Sequence, residues 1–192
     1  MTSQRKPRPL TLDEYLQIER ATPEKNEFVR GEVFAMGGGT LARSGIVANL
    51  VTALSTRLRG GRCRTFDPNL RVYLAESDVA TYPDVTVICG EAAVLKDGQR
   101  DTVTNPTLVA EVLSPSTEAF DRGEKLLAYQ ACTSLQHVLL LAQDRAVVEL
   151  FTRDARAAWT PSAATGRDAT IALRHLEIDV PLAEIYDGVD IA

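Results

Sequence analysis

The chain is 192 residues long, 45% apolar and 24% charged, with a formal net charge of −5. That length suits one domain with a real core, and the charge balance argues against a protein that coats nucleic acid non-specifically. A nuclease stays within bounds, because carboxylates collected for a divalent cation push the balance the same way. No apolar run approaches the roughly 18–20 residues needed to span a bilayer, so no membrane association is expected.

Residues 1–10 are basic and Pro-containing and lead into no hydrophobic signal segment; they are expected to form a disordered tail on a single domain spanning 11–192. Thr11 reads as the N-cap of a short helix running to about Arg20, with Leu12, Tyr15, Leu16 and Ile18 as its apolar positions. Glu27 to Met36 reads as two short strands around a turn at Arg30-Gly31. The run Gly37-Gly38-Gly39 fits neither phosphate-loop pattern and reads as a flexible entry to the next helix. That helix, from about Leu41 to Arg59, carries Ile46, Val47, Leu50, Val51, Leu54 and Leu58 at the spacing of one buried face.

Gly60-Gly61 ends the helix, and strands are predicted over Cys63–Phe66, Leu70–Leu74 and Asp84–Ile88. The last is almost wholly apolar and β-branched, as expected of a strand covered on both faces. A polar excursion over Glu91–Thr104 precedes a second buried strand, Thr107–Leu113, and a helix over Thr117–Cys132 with Ser116 as its cap. Val138–Ala142, Val147–Thr152 and a β-rich tail follow, and Pro181 leads into a last short helix ending near Tyr186. The order implies an α/β sandwich around a mixed sheet.

The three cysteines (Cys63, Cys89 and Cys132) contain no C-x-x-C pair, so neither a zinc site nor a disulfide framework is expected. Cys89 reads as a small core residue, and a reducing, cytoplasmic compartment follows. His137 and His175 do not stand at metal-ligand spacing. Arg57, Arg59, Arg62, Arg64 and Arg71, opposed only by Asp67, form either a phosphate-contacting strip or a solvated helix end.

Chemistry is expected where charge is expensive. Asp84 follows Tyr-Pro and opens a buried strand, while Glu111 interrupts the apolar strand Thr107–Leu113. Burying an ionised carboxylate costs several kcal/mol unless it is paired or bound to a cation. Two such groups entering one sheet from neighbouring strands suit Mg²⁺ or Mn²⁺. Against this stand a strand-start Asp and a Glu paired to an arginine.

Four stretches carry a family resemblance: Glu27-Phe-Val-Arg-Gly-Glu-Val, Tyr82-Pro-Asp-Val-Thr-Val, Asn105 through Thr117, and Asp121-Arg-Gly-Glu-Lys-Leu-Leu-Ala-Tyr. With them the chain resembles, over roughly Leu12 to Tyr186, the Uma-two type of restriction-endonuclease-like proteins within the PD-(D/E)XK nuclease superfamily. The resemblance implies a restriction-endonuclease-like three-layer sandwich, a central mixed sheet flanked by helices. It implies a metal-dependent DNA endonuclease using Mg²⁺ or Mn²⁺, with Asp84 and Glu111 as metal ligands and Glu27 as the acid on an early element, a solvated strand-edge Glu being the competing account of Glu27. Two residues after Glu111, where the superfamily pattern has Lys, this chain has Leu113, and the lysine is displaced to Lys125. A surface ion pair with Asp121 is the competing account of Lys125.

Many family members carry His where this chain has Arg43, a residue able to hold a phosphate but not to act as a base near neutral pH. Arg122, Arg57 and Arg59 are the other candidate phosphate contacts. A cut through both strands needs two sites, so a homodimer is expected by analogy. The alternative function is a non-catalytic nucleic-acid or partner-binding module that retains the fold; weaker still is a purely structural ion-pair network.

Overall fold

In the computed structural model, which describes residues 8–191, α1 (Leu12–Ala21) starts where Thr11 predicts. Thr11 and Glu14 close a reciprocal capping box, an arrangement whose cap alone contributes about 1 kcal/mol. Tyr15 and Leu16 face inward, whereas Ile18 is 43% exposed and Glu19 takes the inward place instead. β1 (Asn26–Val29) and β2 (Glu32–Ala35) form an antiparallel hairpin. Its turn places both Arg30 and Gly31 at positive φ, as tight hairpins require. Of the expected tail, residues 1–7 lie outside the described residues. Leu10 donates its N–H to the Gly31 carbonyl, and a Cβ on Gly31 would collide with Pro9.

α2 (Leu41–Arg57) buries Ile46, Leu50, Ala53 and Leu54. Four strands then follow: β3 (Cys63–Phe66), β4 (Arg71–Leu74), β5 (Val79–Thr81) and β6 (Val85–Cys89). Within the polar excursion the chain makes a two-residue strand, β7 (Thr102–Val103), before β8 (Leu108–Val112). The next helix is broken into α3 (Glu118–Phe120), a π turn (Asp121–Lys125) and α4 (Leu126–Ala131). Ser116 does not cap it: its hydroxyl bonds Ser114, and no side chain caps the first turn. β9 (His137–Leu141), β10 (Val147–Arg153), β11 (Trp159–Thr165), the hairpin β12 (Thr170–Leu173) and β13 (Ile178–Pro181), and α5 (Leu182–Ile185) complete the chain.

The central sheet is mixed, in the order β11-β10-β9-β8-β6-β3, with β8 and β9 parallel and the other neighbours antiparallel. Side chains alternate across it. Val85, Val87, Leu108, Ala110, Leu139 and Leu141 pack on α2 and the C-terminal elements. Ile88, Val109, Val138 and Leu140 pack on α4 and on a second sheet, β2-β1-β5-β4-β7. Beyond that sheet, Phe28 and Ala80 receive Tyr15 and Leu16 of α1. The expected sandwich is present, with a second sheet forming much of one covering layer.

The cysteine expectation is overturned. Cys63 and Cys89 are register partners on β3 and β6 and are joined by a disulfide. They are separated by 26 positions in sequence, so only the strand pairing brings them together. Cys132 is free and buried. The reducing compartment, inferred from unpaired cysteines, loses that support.

Candidate active site

Five segments deliver charge to one cluster: β1, β8, the π turn, the loop before β6 and the first turn of α2. Glu27 lies on β1, on the face opposite Phe28, and accepts a hydrogen bond from the Thr81 hydroxyl of β5. Glu111 stands mid-strand on β8, 2% exposed, and accepts from the Tyr129 hydroxyl of α4. Asp121 and Lys125 come from the π turn, a wide helical turn common at functional positions. The Lys125 ammonium sits 2.7 Å from Glu27, 3.0 Å from Glu111 and 3.6 Å from Asp121. Its side chain is only 4% exposed, so the surface ion pair weighed for Lys125 is replaced by a buried cluster.

Asp84, 3% exposed, enters from the loop before β6. Its carboxylate accepts the Val112 N–H at 2.8 Å, which ties it to the end of β8 one residue beyond Glu111. Arg43, from the first turn of α2, chelates it with Nε at 3.1 and 3.2 Å and Nη2 at 2.8 Å. Val85 pairs with Ala110, so Asp84 falls on the rung opposite Glu111 between two interior strands, and Asp84 is already met by a cation.

Four carboxylates (Glu27, Asp84, Glu111 and Asp121) therefore share two cations, Arg43 and Lys125. The consequence is carried by Glu111, whose carboxyl is pushed up to about 8. Burial is the main cause; Lys125 opposes it, and Asp84, Asp121 and Glu27 reinforce it. Asp121 is also raised, again mainly by burial. Lys125 is driven the other way from what burial alone would do, held charged by Glu111, Glu27 and Asp121. Burial works against the Arg43 charge too, and Asp84 with Glu111 and Asp121 more than offset it.

A cavity of about 350 Å³ opens onto this cluster, lined by Glu27, Glu111, Asp121 and Lys125 and walled by Phe34 and Phe120. On the other side of Arg43 a second recess of about 610 Å³ reaches Asp84 past Met36, Val47 and Val51.

Among the described residues no three His, Cys, Asp or Glu side chains are arranged as a ready metal cage. The donor set still fits a hard divalent ion in two respects: its ligands are carboxylate oxygens, and with all four ionised its charge falls short by two. Asp84 and Glu111 are the residues that would hold such an ion.

The other candidates lie elsewhere. Arg122 is clamped between Glu118 and Glu149 at 2.7 Å each. Arg57 is bound to Glu184 and to the Asp179 carbonyl, about 20 Å along α2 from Arg43. Arg59 lies beyond the far end of that helix, beside Cys63 and Arg64. The strip reading of these arginines is weakened further by Arg71, which is buried. His137 and His175 contact each other ring to ring; burial lowers His137 to about 4.

Sequence reasoning missed Tyr129, Thr81 and the membership of Asp121. Tyr129 had a signal: it stands four residues after Lys125 and so shares its helix face. Thr81 had none, since only the pairing of β1 with β5 puts it beside Glu27.

Comparison with known proteins bears on the family and the fold. The family described as "Uma2: Putative restriction endonuclease" matches residues 12–183. Two proteins of Synechocystis sp. (strain ATCC 27184 / PCC 6803 / Kazusa) are similar. "Uncharacterized protein slr1290" is 37% identical over 150 residues, 78% of this chain and 77% of the relative. "Uncharacterized protein sll1609" is 34% identical over 169 residues, 88% and 95% respectively. A crystal structure from Anabaena variabilis ATCC 29413, described as a "putative nuclease belonging to DUF820", superposes with a TM-score of 0.74. It covers 93% of this chain and 98% of its own at 19% identity, a likeness of fold. Matched over nearly its full length by sequence and by shape, the chain belongs to the Uma2 family of restriction-endonuclease-like proteins.

Proposed function

We propose that the chain hydrolyses DNA phosphodiester bonds with Mg²⁺ or Mn²⁺ at the cluster of Glu27, Asp84, Glu111 and Lys125. The observation that carries this reading is the convergence of Glu27, Glu111 and Asp121 on Lys125 at the floor of a cavity. Such a surplus of buried negative charge is costly unless a ligand repays it. A divalent ion held by Asp84 and Glu111 would polarise the scissile phosphate and lower the pKa of the attacking water.

The protein's own groups account for the rest. Lys125, fixed by three carboxylates, offers an ammonium to charge building on the phosphate. Glu27 and Thr81 hold that ammonium at the cavity floor. Glu111 retains its proton near neutral pH while no ion is present, so ion binding releases it. Arg43 must turn off Asp84 before that carboxylate can serve as a ligand, and its guanidinium is then free for a phosphate. Cutting both strands of a duplex takes two sites, and a homodimer is the assembly proposed for that case. With the cysteine argument gone, placement in the cytoplasm rests on the DNA reading alone. No helix among the described residues is long and apolar enough to cross a membrane.

One observation favours a second reading, a nucleic-acid or partner-binding module without turnover. Asp84 is fully engaged by Arg43 and the Val112 N–H. Thermal melting during Mn²⁺ or Mg²⁺ titration separates the two. The nuclease reading expects the ion to stabilise the wild type, by about 1.4 kcal/mol at ten times Kd, and not Asp84→Ala. It also expects plasmid cleavage to fall by about 10² or more in Glu111→Ala and Lys125→Ala. No ion effect on the wild type and no cleavage would leave the binding module.

A further inference from the structure

We infer that nucleic acid enters this site as an unpaired strand, with one base stacked against Phe34 and Phe120 while the adjoining phosphate reaches Lys125. The inference rests on the nuclease reading above and names the substrate class of that same site.

Position is the first ground. Phe34 on β2 is the register partner of Glu27 on β1, and directly opposed residues of an antiparallel pair share a face. Phe34 therefore stands beside a carboxylate that touches Lys125. Its ring is 46% exposed, although it lines the cavity, and Phe120 lies 6.4 Å away at an interplanar angle of 36°. The two rings make an open apolar wall directly above buried charge, the pairing of stacking platform and cation that unpaired nucleotides use.

Depth is the second. Glu111 and Lys125 are 2% and 4% exposed, and the way to them runs through a recess of about 350 Å³. That volume lies at the small-molecule end of the range for binding pockets, about 300–1,000 Å³. It admits a nucleotide and excludes the rigid body of a duplex.

The third ground is that three of the candidate phosphate contacts are not at the site. Duplex binding draws on many phosphate contacts, yet Arg122 and Arg57 are held by Glu118, Glu149 and Glu184, and Arg59 lies past the far end of α2. Arg43 is the cation that both recesses share; Lys25, which lines the wider one, is spent on the Pro68 carbonyl and the Asn69 side chain. Arg43 chelates Asp84 through Nε and Nη2, leaving Nη1 outside that chelate, and both recesses also share Met36 and Gly37. Successive bases on either side of one phosphate fit two recesses on either side of one arginine. A single site then serves a single strand, so activity on it does not require the homodimer.

Fluorescence anisotropy tests this with the full chain, using fluorescein-labelled oligothymidylate alone and annealed to oligoadenylate, in Mg²⁺ and again in EDTA. The unpaired strand is expected to bind at least about tenfold more tightly than the duplex, and Phe34→Ala to weaken it by about 5- to 150-fold, the range for losing one stacked base. Phe34→Trp should restore binding. Ile18→Ala, which removes an exposed apolar side chain from α1 on the far side of the second sheet, should match the wild type. Equal or tighter binding of the duplex, or a Phe34→Ala variant that melts and binds like the wild type, overturns the inference. If cleavage persists and depends on Lys125, that result leaves the nuclease reading standing; failure of both strands to bind and to be cut removes both.

Discussion

Two buried charged networks flank the second sheet, and they are built on different terms. On the α1 side, Glu19 accepts from the Asn26 N–H and from the Tyr82 hydroxyl, and Arg71 donates to that same hydroxyl and to Thr102. Arg71 also lies over the Tyr15 and Tyr82 rings and faces Asp101 at 3.6 Å. On the other side, Glu27, Asp84, Glu111 and Asp121 share Lys125 and Arg43. The first network is interlocked, with hydroxyls and rings filling the space around each charge. The second is short of positive charge and opens onto a cavity. A satisfied buried network holds a fold together, whereas an unsatisfied one beside empty space marks a place for a ligand.

Removing the central cation from each side should separate them most. Lys125→Met leaves three carboxylates around an apolar tip and is expected to cost about 3–5 kcal/mol, with cleavage lost. Arg71→Met leaves Glu19 bonded to Tyr82 and should cost about 1–3 kcal/mol, with cleavage retained. Urea unfolding and a plasmid assay on both variants check this; matching losses in both measurements would erase the contrast. The Lys125→Met deficit should also shrink as pH falls, since protonated carboxylates no longer need the missing cation.

The next effect is in pH. Glu111 titrates at about 8 in the folded chain against 4.5 unfolded. Its folded value is raised, so its contribution is complete below about 4.5 and fades as pH rises through about 8. Wild-type stability without divalent ions should therefore decline over that window by up to about 1.4 kcal/mol per pH unit. Asp121, also raised, acts in the same direction. Glu111→Gln should flatten the decline, as should saturating Mn²⁺ in the wild type. A slope unchanged by the substitution would show that Glu111 is not where the excess charge resides.

Smallest is the effect of the exposed arginines. Arg57→Ala removes one ion pair near the surface and Arg122→Ala two; each should shift stability by about 1 kcal/mol or less, leaving cleavage intact. Loss of cleavage in either would restore that arginine as a phosphate contact.

Much of this was legible beforehand because the chain states its periods clearly. The near-continuous apolar run of β6 and the single charge within β8 exposed Asp84 and Glu111 as costly placements. α2 declared itself by its buried stripe. Other features live in pairings that no local pattern encodes. β5 has three residues and β7 two, too short for alternation to register, yet β5 supplies Thr81 to Glu27. The disulfide needs the β3–β6 register, and the Arg43 chelate spans 41 positions. Tyr129 was within reach from its spacing to Lys125, had the helix face been followed one turn further.

The β1–β2 hairpin has a consequence of its own. Glu27 and Phe34 occupy one rung of that ladder, and Arg30-Gly31, pinned under Pro9, sets where the rungs fall. A slip of β2 by one position would turn Phe34 to the other face, while β5 kept β1 and Glu27 in place. The turn alone therefore decides whether the aromatic wall stands beside the acid.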